Sequence, residues 1–153
     1  MIQETRERLQ AINTVLTSSI TTWNLVDRLR RLSSDTYHYR ESNLIDDQVY
    51  GLRAQNKTPP AILALNDNAL ELPRDLSSLQ IHCLCVHADY QRQGLRQHLI
   101  ENALKLAQMR HLNAVLVKSH ESTVSYFEKQ GFRLTPVIDE VCDFPYRLVR
   151  SVI

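Results

Sequence analysis

The chain has 153 residues, 43% hydrophobic and 23% charged, with a formal net charge of +1. That is the length of one domain with an ordinary globular composition, enough to build a core without disulfide or metal staples. The near-neutral balance argues against a broad nucleic-acid surface, and no apolar run reaches the roughly 18 to 20 residues that a membrane helix needs.

Residues 2–32 read as helical, with Leu9, Ile12, Val15 and Leu16 on one stripe and Leu25, Val26, Leu29 and Leu32 on another. Thr17, Ser18, Ser19, Thr21 and Thr22 should divide them, since hydroxyl side chains compete for backbone hydrogen bonds. Arg28, Arg30 and Arg31 read as a solvated face. Residues 35–56 are polar, with a short strand expected near 48–52. Pro59 and Pro60 punctuate before a strand at 61–65. Asn66, Asp67 and Asn68 suit a turn, with residues 69–72 as the returning hairpin partner.

The next strand spans 79–87, and residues 94–110 form a helix burying Leu95, Leu99, Ala103, Leu106 and Ala107. Residues 114–117 are a continuous apolar run, as in a strand covered on both faces. A helix over 122–130 ends at Gly131, placed as a left-handed terminator. Closing strands follow at 132–138 and 146–153, joined by a loop carrying Asp139, Glu140, Asp143 and Pro145. This order predicts an α/β fold, a mixed sheet with helices on its faces.

Cys83, Cys85 and Cys142 show no metal-ligand spacing, so no metal is expected. Cys83 and Cys85 share one face of their strand but are badly placed to bond each other. With no signal-peptide pattern, reduced thiols point to a cytoplasmic protein.

The chain has three glycines, and Gly94 stands between the strand at 79–87 and the helix it opens. Backbone N–H groups at a helix start precede the intrahelical ladder and carry the positive end of the helix dipole. Such a turn is a seat for phosphate. Alone, Gln91 and Gly94 fit a plain strand-to-helix turn equally well.

A second motif adds context. Residues 79–132 resemble the core of the GNAT superfamily of N-acetyltransferases, through Gln91-Arg92-Gln93-Gly94-Leu95-Arg96 and, further on, Tyr126-Phe127-Glu128-Lys129-Gln130-Gly131-Phe132. The closing motif is similar to that of the histone-lysine acetyltransferase branch. The resemblance covers about a third of the chain well. It implies a GNAT-like fold and acetyl-CoA as cofactor, lying between the central parallel strands. It places the pantetheine arm on the backbone of Leu84, Cys85 and Val86. The pyrophosphate falls on the amides of Arg92, Gln93, Gly94, Leu95, Arg96 and Gln97 behind Gln91, with Phe127 beside the cofactor. A backbone N–H near Val86 would polarise the thioester carbonyl. It also implies one acetyltransferase-like domain, with residues 1–57 as a helical acceptor-side region and 58–153 as the cofactor-binding core.

The chain departs from the family pattern at four positions. Arg96 stands where Gly or Ala is usual, and either adds a charge-assisted contact or crowds the phosphates. Phe127 replaces a tyrosine that often protonates the leaving thiolate, although the histone-lysine branch shares the Phe. His120 falls where many members carry Asn. Gln80 aligns with that branch's general base, and an amide cannot take a proton.

An attacking amine must be neutral. At pH 7 a lysine-like amine is only about 0.04% neutral, a deficit of roughly 4.6 kcal/mol. Strand alternation puts His82 on the face of Gln80, so His82 is the candidate base, against a core histidine bonded to a carbonyl. His120 and Tyr126 are candidates to protonate the thiolate, against an exposed helix-start residue and a packing residue. His87 reads as a surface residue.

The family's first strand has only residues 1–5 to draw on, or is displaced towards 35–52, or replaced. Three functions stay open at this point. The first is acetyl transfer to a protein or small-molecule primary amine, with a homodimer compatible with it. The second is a non-catalytic coenzyme A-binding module on the same fold. The third is a nucleic-acid-binding scaffold built on the amino-terminal helices.

Overall fold

The computed structural model describes residues 2–3, 8–23, 40, 42–52, 59–66, 77–138 and 145–152. In chain order the elements are β1 (Ile2–Gln3), α1 (Leu9–Ile20), α2 (Asn43–Asp46), β2 (Gln48–Gly51), β3 (Ala61–Asn66), β4 (Ser78–Val86), a 3-10 turn (Ala88–Tyr90), α3 (Leu95–Met109), β5 (Ala114–Ser119), α4 (Glu121–Lys129), β6 (Arg133–Ile138) and β7 (Tyr146–Ser151). This is the mixed α/β class expected. The helical stripe through Leu25 and Leu32, the hairpin partner at 69–72 and the loop from Asp139 lie outside the described residues. The chain groups into two compact units, Met1–Leu65 with Cys83–Leu99, and Asn66–His82 with Ile100–Ile153.

In the first unit β1 pairs antiparallel with β2, Ile2 opposite Gly51, and β2 pairs antiparallel with β3, Gln48 opposite Leu65. A strand pairing therefore overrides the helical reading of residues 2 and 3. Helix α1 buries Ile12, Val15, Leu16 and Ile20 at three- and four-residue spacing. That stripe forms a core with Val49 of β2, Ile62 and Ala64 of β3 and Cys85 of β4. The strand members sit at alternate positions, as a pleated face requires. The sulfurs of Cys83 and Cys85 lie 3.2 Å apart, closer than their spacing suggested, with no disulfide between them.

Helix α1 runs through Thr17, Ser18 and Ser19 before it ends. There Thr22 N–H donates to Ser19 O and Trp23 N–H to Ile20 O, and the Thr21 and Thr22 hydroxyls donate to Ser18 O and Ser19 O. The hydroxyl-rich stretch thus stops the helix by taking its last carbonyls.

In the second unit the start of β4 runs parallel to β5, from Ser78 opposite Ala114 to Ile81 opposite Val117. Strand β5 pairs antiparallel with β7 over its whole length, Ala114 opposite Ser151 and Ser119 opposite Tyr146. The parallel ladder therefore stops one residue before His82 and Lys118, while β5 continues on its other side. Ala114, Val115, Leu116 and Val117 are all buried, as the apolar run predicts. The β6–β7 register is irregular between Leu134 and Ile138, where Pro136 lacks the N–H a regular ladder uses. Helix α3 buries Ile100, Ala103 and Ala107.

Both helices end in the same way. After α3, His111 N–H donates to Gln108 O and Leu112 N–H to Ala107 O. After α4, Gly131 N–H donates to Glu128 O and Phe132 N–H to Phe127 O. These are Schellman ends, which need a left-handed residue at the first position past the cap. His111 (φ 56) and Gly131 (φ 86) supply it. The accompanying apolar contact is the Phe127–Phe132 pair, ring centroids 5.7 Å apart. Spacing in the closing motif thus has a structural cause.

Candidate active site

In the first unit, strand β4 ends at Val86, the 3-10 turn follows, and the glycine turn opens α3. Successive groups along this path are held. The Val86 carbonyl accepts from Gln91 Nε2 at 3.2 Å, His87 N–H donates to Pro60 O at 2.9 Å, and Ala88 N–H donates to Ser18 Oγ at 2.9 Å. His87, half-buried, caps the 3-10 turn through Nδ1, which accepts from Asp89 N–H, a structural role.

Arg92 (φ 62) and Gly94 (φ 77) both take left-handed backbone in the turn. The first intrahelical bond of α3 runs from His98 N–H to Gly94 O at 3.0 Å, so the amides of Gly94 to Gln97 precede the ladder. A Cβ built on Gly94 meets no heavy atom within 4 Å. An exposed helix start with open space in front of its glycine fits a diphosphate, through backbone N–H groups and the dipole. Arg92, Gln93 and Gln97 are exposed, and Leu95 and Arg96 are half-buried. Of the strand residues in this unit, Cys85 and Val86 are buried and Leu84 is half-buried.

Two residues of this region were missed in the sequence. Ser18 in the last turn of α1 and Thr22 just past its end anchor the path, Thr22 Oγ1 accepting from Gln91 Nε2 at 2.9 Å. Their signal was a hydroxyl every fourth position, Thr14, Ser18 and Thr22, on one helical face.

The second unit holds the other candidates. His82 is exposed just past the end of the parallel ladder, which removes the core-histidine alternative. His120 is the reverse case. It is expected at an exposed helix start, yet it is only 5% exposed at the position before α4. Its carbonyl accepts from the Ser119 and Thr123 hydroxyls, so its backbone is tied into the helix start. Phe127 is buried, and its ring meets Tyr126 and Phe132 edge to face at 5.4 and 5.7 Å. Tyr126 is half-buried. Among the described residues, no group of three or more His, Cys, Asp or Glu could hold a metal ion, and no helix is long and apolar enough to cross a membrane.

A mixed α/β fold with a glycine turn between a strand and an exposed helix start is an arrangement that can seat a phosphate on backbone amides. The chain belongs to the acetyltransferase (GNAT) domain family, whose sequence model matches residues 44–143. No curated protein matches it. Among solved structures, it is similar to the BH1408 protein of Bacillus halodurans, crystallised as a tetramutant, with a TM-score of 0.72 and 13% identity over 92% of this chain and 98% of that one. PaiA N-acetyltransferase of Thermoplasma acidophilum, in complex with coenzyme A, gives 0.66 and 13% over 99% of each chain. The ribosomal-protein-S18-alanine N-acetyltransferase of Escherichia coli gives 0.65 and 15% over 98% and 91%. At such identities the likeness is one of fold. The histone-lysine branch is not distinguished by these matches.

Proposed function

We propose that this protein is an acetyl-CoA-dependent N-acetyltransferase acting on a primary amine by direct attack in a ternary complex. The observation that carries the reading is the Gly94 turn, an exposed helix start whose glycine faces open space. Family membership makes acetyl transfer the matching chemistry. Complexes of fold relatives with coenzyme A support the choice of carrier.

Acetyl-CoA would supply an activated thioester. The amides of Arg92 to Gln97 hold the pyrophosphate, with the first turn of α3 contributing its dipole. The backbone of Leu84, Cys85 and Val86 aligns the pantetheine arm, and an N–H near Val86 donates to the thioester oxygen. His82 takes the amine's proton, directly or through water, from its exposed position. His120 and Tyr126 are the two candidates to donate the one proton that the departing thiolate takes up. The acceptor is a protein lysine, an α-amino group or a small-molecule amine.

Burial of Phe127, which offers no proton, together with the amide of Gln80, favours a second reading. In it the same fold binds coenzyme A as a regulatory module. Calorimetric titration with acetyl-CoA and coenzyme A, then mass-spectrometric screening of amines and peptides as acceptors, separates the two. Binding with an acetylated product supports the enzyme, and binding with slow thioester hydrolysis alone supports the module. No affinity for either carrier at millimolar concentration ends both readings.

A further inference from the structure

Gln91 is held on two sides within the first unit. Its Nε2 donates to Thr22 Oγ1 at 2.9 Å and to Val86 O at 3.2 Å, and the Thr22 hydroxyl donates on to Ser19 O at 2.7 Å. A side-chain amide has two N–H donors, and these two acceptors match them. The next residue, Arg92, carries a φ of 62 without being glycine. Such backbone persists only where its surroundings over-determine it, and Gln91 beside it is pinned. Ser18, one turn earlier on α1, holds Ala88 N–H at 2.9 Å. Ser18 in the last turn of α1 and Thr22 just past its end therefore grip both ends of the path from strand to glycine turn.

We infer that Thr22 and Ser18 are positioning residues for the pyrophosphate turn, acting through Gln91 and Ala88, and that the Gln91 side chain braces the turn from behind. This rests on the cofactor reading above. Because Gln91 also holds the Val86 carbonyl, one side chain couples the diphosphate seat to the strand end carrying the thioester donor. A turn fixed beforehand spends less binding energy on ordering itself. The loss of one such bond weakens the grip on the diphosphate rather than unfolding the chain.

The test compares wild type with Thr22→Val, which keeps the β-branched shape without the hydroxyl, and Thr22→Ser, which keeps the hydroxyl. Coenzyme A binding is followed by calorimetry, and its pyrophosphate by phosphorus NMR. Thr22→Val should bind coenzyme A about tenfold more weakly, the scale of one neutral hydrogen bond, while Thr22→Ser stays within about twofold of wild type. The shift of the pyrophosphate resonances on saturation should shrink in Thr22→Val and return in Thr22→Ser. A purely structural role for Thr22 would leave that shift unchanged. Gln91→Met, which removes the bonds to both Thr22 and Val86, is the second variant and should bind coenzyme A at least as weakly as Thr22→Val. Wild-type affinity in Thr22→Val and Gln91→Met, or equal loss in Thr22→Ser and Thr22→Val, overturns the inference. Failure of wild type itself to bind coenzyme A is a different result, and overturns the cofactor reading.

Discussion

Two glycines with left-handed backbone sit in opposite surroundings, and the difference predicts opposite phenotypes. A Cβ on Gly131 would meet Arg150 Nε at 3.3 Å, whereas one on Gly94 meets nothing within 4 Å. Both substitutions carry the left-handed cost of about 1–2 kcal/mol. Gly131→Ala also pushes on Arg150, whose Nη1 donates to Gln130 O at 2.6 Å. Urea denaturation should therefore show Gly131→Ala as the less stable variant, with coenzyme A affinity kept. Gly94→Ala should keep more stability and lose affinity, because its methyl enters the space proposed for the diphosphate. His82 gives a second prediction at this scale. As the proposed proton acceptor, His82 should lower turnover when changed to Ala, without changing coenzyme A affinity. Unchanged kinetics would remove His82 from the mechanism alone. Both glycines were legible in the sequence because a left-handed requirement is local. Exposure was not, since His120, read at an exposed helix start, is buried, and His82, for which a core position was the alternative, is exposed, through packing that no single stretch encodes.

At the level of elements, the two Schellman ends make a controlled pair. Helix α4 ends on Gly131 and helix α3 on His111, with the same two hydrogen bonds after each. Glycine occupies such a position without the steric cost a histidine bears. His111→Gly should therefore stabilise the protein by about 1 kcal/mol, read as a raised urea midpoint with unchanged slope. No gain would mean that the exposed imidazole makes up the cost. The strand and helix positions were largely legible, because β3 and β5 are continuous apolar runs and α3 follows a helical apolar period. Residues 2 and 3 form the first strand that residues 1–5 were one option to supply, but local pattern alone read them as helical, since pairing with Tyr50 and Gly51 depends on partners nearly fifty positions away. The anchoring of Ala88 by Ser18 spans 70 positions and was equally out of reach of local pattern.

For the whole molecule, the decisive quantity is linkage between binding and stability. A ligand that binds only the folded chain stabilises it by RT ln(1 + [L]/Kd), about 2.7 kcal/mol at one hundred times Kd. For a domain of this size that corresponds to a rise in melting temperature of roughly 5–11 °C. Coenzyme A should produce such a rise in the wild type. At the same concentration the rise should fall sharply in Gly94→Ala and only partly in Thr22→Val, which loses one brace and not the seat. In Gly131→Ala the full rise should appear on a lower baseline, because its defect lies at the end of α4 and not in the turn. An equal rise in Gly94→Ala and wild type would mean that the carrier binds without using the amides at the start of α3. The diphosphate seat would then have to be sought elsewhere in the chain. The enzyme and the binding module share this linkage, so thermal shift tests the seat while the acceptor screen tests the chemistry.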